Sequence, residues 1–165
     1  MCSQLSAQQL GQTNVSCKVT APNGVVAGSL ERAEQAYGNR LLSVHGVRND
    51  GTVEVTPGVA GFVTPDGALG MKFGWTRAVR GKLHVTGHRL DGDAPPLRAD
   101  VRGRSGELGF QASYLIFPTP GCWEVLAQLG EIEESKLTFV TKVVKIDRQG
   151  ADATAPLIET VRIHD

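Results

Sequence analysis

A chain of 165 residues is the size of one ordinary domain, large enough to bury most of its apolar surface without a metal or a disulfide framework. Its 17 Lys and Arg against 17 Asp and Glu cancel to zero net charge, which argues against electrostatic capture by nucleic acid or an anionic membrane. A hydrophobic share of 41% with 20 Gly and 8 Pro fits a turn-rich β protein and excludes collagen or pure disorder. No run approaches the roughly 18 apolar residues that span a bilayer, so no transmembrane segment is expected.

Residues 1–16 are polar, rich in Gln and Ser, and are predicted to form a flexible tether. Met1 is followed by Cys2, Ser3 and Gln4, not by a basic region and an apolar core, so no signal peptide is expected. A cytosolic protein and a mature exported form both fit that start. Asn14, Val15 and Ser16 match a glycosylation acceptor, a pattern frequent by chance. A short extended Val19-Thr20 pair leads to a Pro22-Asn23-Gly24 turn. Residues 29–37, with Ser29 as N-cap and Gly38 past the end, fit a short helix or a charged loop equally.

From Arg40 the pattern becomes short strands at close spacing. Residues 41–47 and 52–56 are predicted to form a hairpin about the Asn49-Asp50-Gly51 turn. Asp66-Gly67 marks a second reversal, between residues 61–64 and 68–75. Residues 82–90 alternate most clearly, with Leu83 and Val85 on one face and His84, Thr86 and His88 on the other. A 91–96 loop, a 97–102 strand and a 103–106 turn follow. Phe110, Ala112, Tyr114 and Ile116 then share one face of a long strand that ends at Pro118. Beyond that Pro/Gly corner, Trp123 opens a strand with Val125, Ala127 and Leu129 on one face, and a polar 131–135 turn leads to the β-branched strand 137–144.

Eight or nine strands with little helix predict an all-β, antiparallel immunoglobulin-like β-sandwich over residues 17–146. Residues 147–165 are expected to be a tail or an extra edge strand through Leu157, Ile158, Val161 and Ile163. An up-and-down barrel is the alternative, disfavoured because Pro/Gly corners interrupt strands where closure would be needed.

The opening run 17–24, the central run 70–81, the 89–99 segment with Pro95-Pro96, and the 117–125 run together resemble a group of uncharacterised bacterial exported or lipoprotein-like proteins with an immunoglobulin-like sandwich. The resemblance covers residues 17–146 and implies fold and compartment, not activity. Gly74 and Thr76 flank Trp75 where that group carries a richer Pro/Trp cluster. Under the resemblance Cys17 and Cys122 form a disulfide in an oxidising compartment, or else remain two buried thiols. Cys2, with the Ser/Gln-rich start behind it, resembles a lipidation site on a processed lipoprotein; an incidental cysteine fits equally. The implied location is extracytoplasmic, secreted or lipid-anchored at a bacterial envelope.

Chemistry-bearing motifs are sparse. His84 and His88, about 13 Å apart along one strand, are too distant to share an ion, although His45 approaches one of them in some strand orders. Asp91 and Asp93 supply two carboxylates where calcium needs six to eight oxygens. No Gly-x-Ser-x-Gly elbow is present, and Glu124, Glu131, Glu133 and Glu134 fall in or near a turn where solvation is their ordinary role. Trp75 with Arg77 and Arg80 is the candidate ligand-binding patch, an aromatic face between hydrogen-bonding cations, against the alternative that Trp75 belongs to the core. The sequence therefore predicts a non-enzymatic module that binds a protein or glycan, with no catalytic residue, metal or cofactor. An enzyme or inhibitor site on the 91–96 and 103–106 loops, or a structural spacer, are the alternatives.

Overall fold

The computed structural model describes residues 16–103 and 108–147. They form ten strands and no helix: β1 (Ala36–Gly38), β2 (Leu42–His45), β3 (Thr52–Val55), β4 (Phe62–Val63), β5 (Leu69–Arg77), β6 (Leu83–Arg89), β7 (Arg98–Val101), β8 (Gly109–Phe117), β9 (Gly121–Leu129) and β10 (Ile132–Lys145). A six-stranded sheet runs β1-β2-β5-β8-β7, with β4 also paired to β5, and a four-stranded sheet runs β3-β10-β9-β6. The two sheets share one core in a sandwich-like arrangement. All of the predicted tail beyond Asp147 lies outside the described residues, as do Cys2 and all but the last residue of the predicted tether.

Period-two alternation places the core. Leu69, Phe73 and Trp75 of β5 and Leu115 and Phe117 of β8 meet Trp123, Val125, Ala127 and Leu129 of β9 and Leu137, Phe139 and Val143 of β10. Phe117 closes the six-stranded sheet and Trp123 opens the other, and their rings meet edge to face at 5.7 Å across the Pro118-Thr119-Pro120 corner. The indole N–H of Trp123 donates to Thr119 O at 3.0 Å, so the corner that turns the chain also satisfies the buried donor.

Of the two readings of residues 29–37, the loop holds over residues 29–35, which contain turns and no helix, and β1 begins at Ala36. Two expectations need correction. Residues 41–56 do not make a hairpin. The turn itself is real, since Asp50 Oδ1 accepts from Thr52 N at 3.0 Å and Gly51 N donates to Arg48 O at 2.9 Å. Yet β2 pairs antiparallel with β1 and β5, whereas β3 pairs in parallel with β10 in the other sheet. Leu42 and Val44 enter the core from one side, Val53 and Val55 from the other, so the chain arches between layers. Finally, of the polar 131–135 stretch only Glu131 belongs to the turn, and β10 starts at Ile132. The reversal is completed by Gly130 (φ 52°), and residues 133–136 form an irregularity within β10. Ser135 Oγ pins it by accepting from Leu129 N at 2.9 Å and donating to Ile132 O at 2.6 Å.

The N-terminal segment from Ser16 straps the four-stranded sheet. Cys17 is bonded to Cys122, with Cα atoms 5.5 Å apart and a sequence separation of 105. Cys122 alternates with core residues Trp123 and Val125, so its sulfur faces away from the inter-sheet core. Thr20 N donates to Val140 O at 2.8 Å, and Thr20 Oγ1 accepts from Val140 N at 2.9 Å. Further along the same edge of β10, Tyr37 Oη donates to Thr138 O and Asn39 Nδ2 to Lys136 O, each at 3.0 Å. These contacts occupy backbone carbonyls that β3 is too short to reach.

Candidate functional site

The predicted patch of Trp75, Arg77 and Arg80 does not exist as a surface. Trp75 is 0% exposed and Arg77 4% exposed, because both follow Phe73 on the inward face of β5. Trp75 Nε1 donates to Ser113 Oγ at 2.8 Å, and Arg77 Nη1 donates to Gly81 O at 3.3 Å. Arg80 lies beyond the strand and is exposed. Gln111 completes this buried polar corner, its Nε2 donating to Arg102 O at 3.3 Å.

The other singled-out residues also resolve into local roles. His84 and His88 stand on the outer face of β6, and His88 Nδ1 lies 4.0 Å from Glu124 Oε1. His45 belongs to the other sheet. Among the described residues, no group of three or more His, Cys, Asp and Glu is arranged to hold a metal ion. Asp91 pairs with Arg89 Nε at 2.7 Å, and Arg89 Nη1 reaches Thr119 Oγ1 at 3.3 Å. Burial pushes the Asp91 carboxyl up, but hydrogen bonds from Arg89 and the Cys122 amide, with the guanidinium charge, hold it below the usual carboxylate value. This pair ties the start of the 91–96 loop to β9.

A hollow of about 500 Å³ is lined by Pro22, Asn23, Gly24, Arg32, Ala33, Glu34 and Asn49. Its polar groups are largely engaged in holding the chain. Asn23 donates to Gly38 O at 2.8 Å and accepts from Val25 N and Gly38 N, each at 3.0 Å. Arg32 Nη2 donates to Asn23 O.

The more distinctive surface is the outer face of the six-stranded sheet, which sequence reasoning grouped correctly on β8 without assigning it a role. The register lays it out in rows: Thr76 beside Phe110; His45, Gly74 and Ala112; Lys72, Tyr114 and Asp100; and Phe62, Gly70, Ile116 and Arg98. Two glycines four apart on β5 are each covered by a phenyl ring. A Cβ on Gly74 would meet Phe110 Cε2 at 2.6 Å, and one on Gly70 would meet Phe62 Cζ at 2.2 Å. Phe62 packs edge-on against Tyr114 at 5.5 Å, and the Arg102 guanidinium sits 5.4 Å from the centre of the Tyr114 ring. Phe110 remains 67% exposed.

Charge on this face is mostly paired. Arg98 Nη2 meets Asp66 Oδ2 at 3.0 Å, and Arg102 Nε meets Asp100 Oδ2 at 2.8 Å. Lys72 is exposed and has no ion partner among the described residues. Thr76 Oγ1 lies 3.5 Å from His45 Nε2 beside the Phe110 ring. The arrangement can stack a flat or apolar group, hydrogen-bond its substituents and neutralise one negative charge. The missed signal was the pair Gly70 and Gly74 on β5, together with Phe110 and Tyr114 on the outward face of β8 and polar Gln111 and Ser113 on its inward side. Comparison with protein-family models, curated proteins and solved structures finds no match for the chain.

Proposed function

We propose that this chain is a non-enzymatic, immunoglobulin-like binding module that works outside the cytoplasm at a bacterial cell envelope, recognising a protein or carbohydrate through the outer face of its six-stranded sheet. The observation that carries the reading is the exposed Phe110 ring over Gly74, on the same sheet face as Lys72 and Tyr114, an apolar platform with hydrogen-bonding and cationic groups in reach. The Cys17–Cys122 bond supports an oxidising compartment, where such bonds persist. Lipid anchoring through Cys2 belongs to the same proposal and supplies a tether to the envelope.

The test is a glycan and peptide binding panel on the oxidised protein, repeated with Phe110→Ala and with Arg32→Ala in the hollow. Binding that Phe110→Ala abolishes and Arg32→Ala leaves intact supports the reading. Binding sensitive only to Arg32→Ala would move the site to the hollow and overturn the sheet-face reading.

A further inference from the structure

We infer that the outer face of the six-stranded sheet takes an acidic oligosaccharide, with a sugar ring on Phe110 and a carboxylate on Lys72; this rests on the binding reading above and names its ligand class. The Phe110 ring covers Gly74, and Lys72 follows two residues away on the same face, about 7 Å along the strand. That distance joins a stacked ring to a charged substituent on the same or the next sugar. An exposed aromatic ring offers its face to the C–H groups of a sugar, while Thr76 and His45 border the same spot with groups able to bond hydroxyls.

Charge complementarity selects the class. Asp66 and Asp100 already engage Arg98 and Arg102, which leaves Lys72 as the lysine of this face with no ion partner among the described residues. One free positive charge beside a stacking ring matches a ligand with isolated carboxylates. A nucleic acid carries a charge at every phosphate and draws its affinity from several free cations, which this face and a chain of zero net charge do not offer. A folded protein partner requires a contiguous interface of about 800 Å² per side. Here the outward residues mix apolar Phe110, Phe62 and Tyr114 with polar Thr76, His45 and Lys72.

The experiment is calorimetric titration of the full oxidised chain with a set of uronic-acid oligosaccharides of differing linkage and with their carboxyl-reduced, neutral forms. Thermal melts would establish that each variant is folded. The expected result is that at least one uronate binds and that its reduced form binds about tenfold more weakly. Phe110→Ala abolishes binding of both forms, and Lys72→Gln removes the difference between them. Equal binding of charged and reduced forms, or indifference to Lys72→Gln, overturns the inference. So does competition by a single-stranded oligonucleotide. If no uronate binds while a peptide or protein does, and Phe110→Ala removes that interaction, the ligand class is wrong although the binding face stands. If nothing in either set binds, both fail.

Discussion

Gly121 shows how one missing side chain lets two others meet. A Cβ there would fall 2.6 Å from Arg89 Nε and 2.8 Å from Asp91 Oδ1, and its φ of 142° is one that residues with side chains rarely adopt. Gly121→Ala is therefore expected to cost about 1–3 kcal/mol from backbone strain alone and to push Arg89 away from Asp91. A urea melt of the variant indistinguishable from wild type would contradict the packing. The ion pair also has a pH signature. The folded Asp91 carboxyl titrates below its unfolded value of about 3.9, so its contribution is whole above that pH and is lost as pH falls through the folded pKa. Asp91→Asn should accordingly lower stability at neutral pH and flatten the loss of stability between about pH 5 and the acid limit. Denaturant midpoints measured across that range check it, and an unchanged acid slope would remove Asp91 from the cause.

At the scale of elements, the chain's reversals are more legible than its pairings. Asp66-Gly67 does join the paired strands β4 and β5, because the turn is short and both strands belong to one sheet. The Asn49-Asp50-Gly51 turn has equally good chemistry, yet Val53 and Val55 bury from the opposite layer, and local residues carry no signal for that choice. β8 presents the inverse difficulty. Its inward face carries Gln111 and Ser113 beside Leu115 and Phe117, while Phe110 faces solvent, so hydrophobicity alone does not orient it. The strap from Ser16 yields the clearest energetic prediction. Its disulfide closes a loop of 105 residues, for which loss of unfolded-state entropy contributes on the order of 4–5 kcal/mol. Cys17→Ser with Cys122→Ser should lower the unfolding free energy by up to about that amount, measured by urea denaturation, and reductant should then have no further effect. A variant as stable as the oxidised protein would show that the strap bears no load.

For the whole molecule, alternation and turn spacing made the all-β class legible, and of the two readings open for Cys17 and Cys122 the structure has the disulfide. The proposed binding face was not legible as such. Trp75 invites a surface role because Arg77 and Arg80 neighbour it in sequence, but β5 has a period of two and carries Trp75 and Arg77 inward with Phe73. Lys72 and Phe110, 38 positions apart in sequence, reach one sheet face only through β5–β8 pairing, which sets them opposite Tyr114 and Thr76. The most direct measurement is amide chemical-shift mapping of the oxidised, isotope-labelled protein titrated with the strongest binder from the panel. Shifts concentrated at Phe62, Lys72, Gly74, Phe110 and Tyr114 are predicted. Shifts concentrated around Asn23, Arg32 and Glu34, with that face silent, would contradict it.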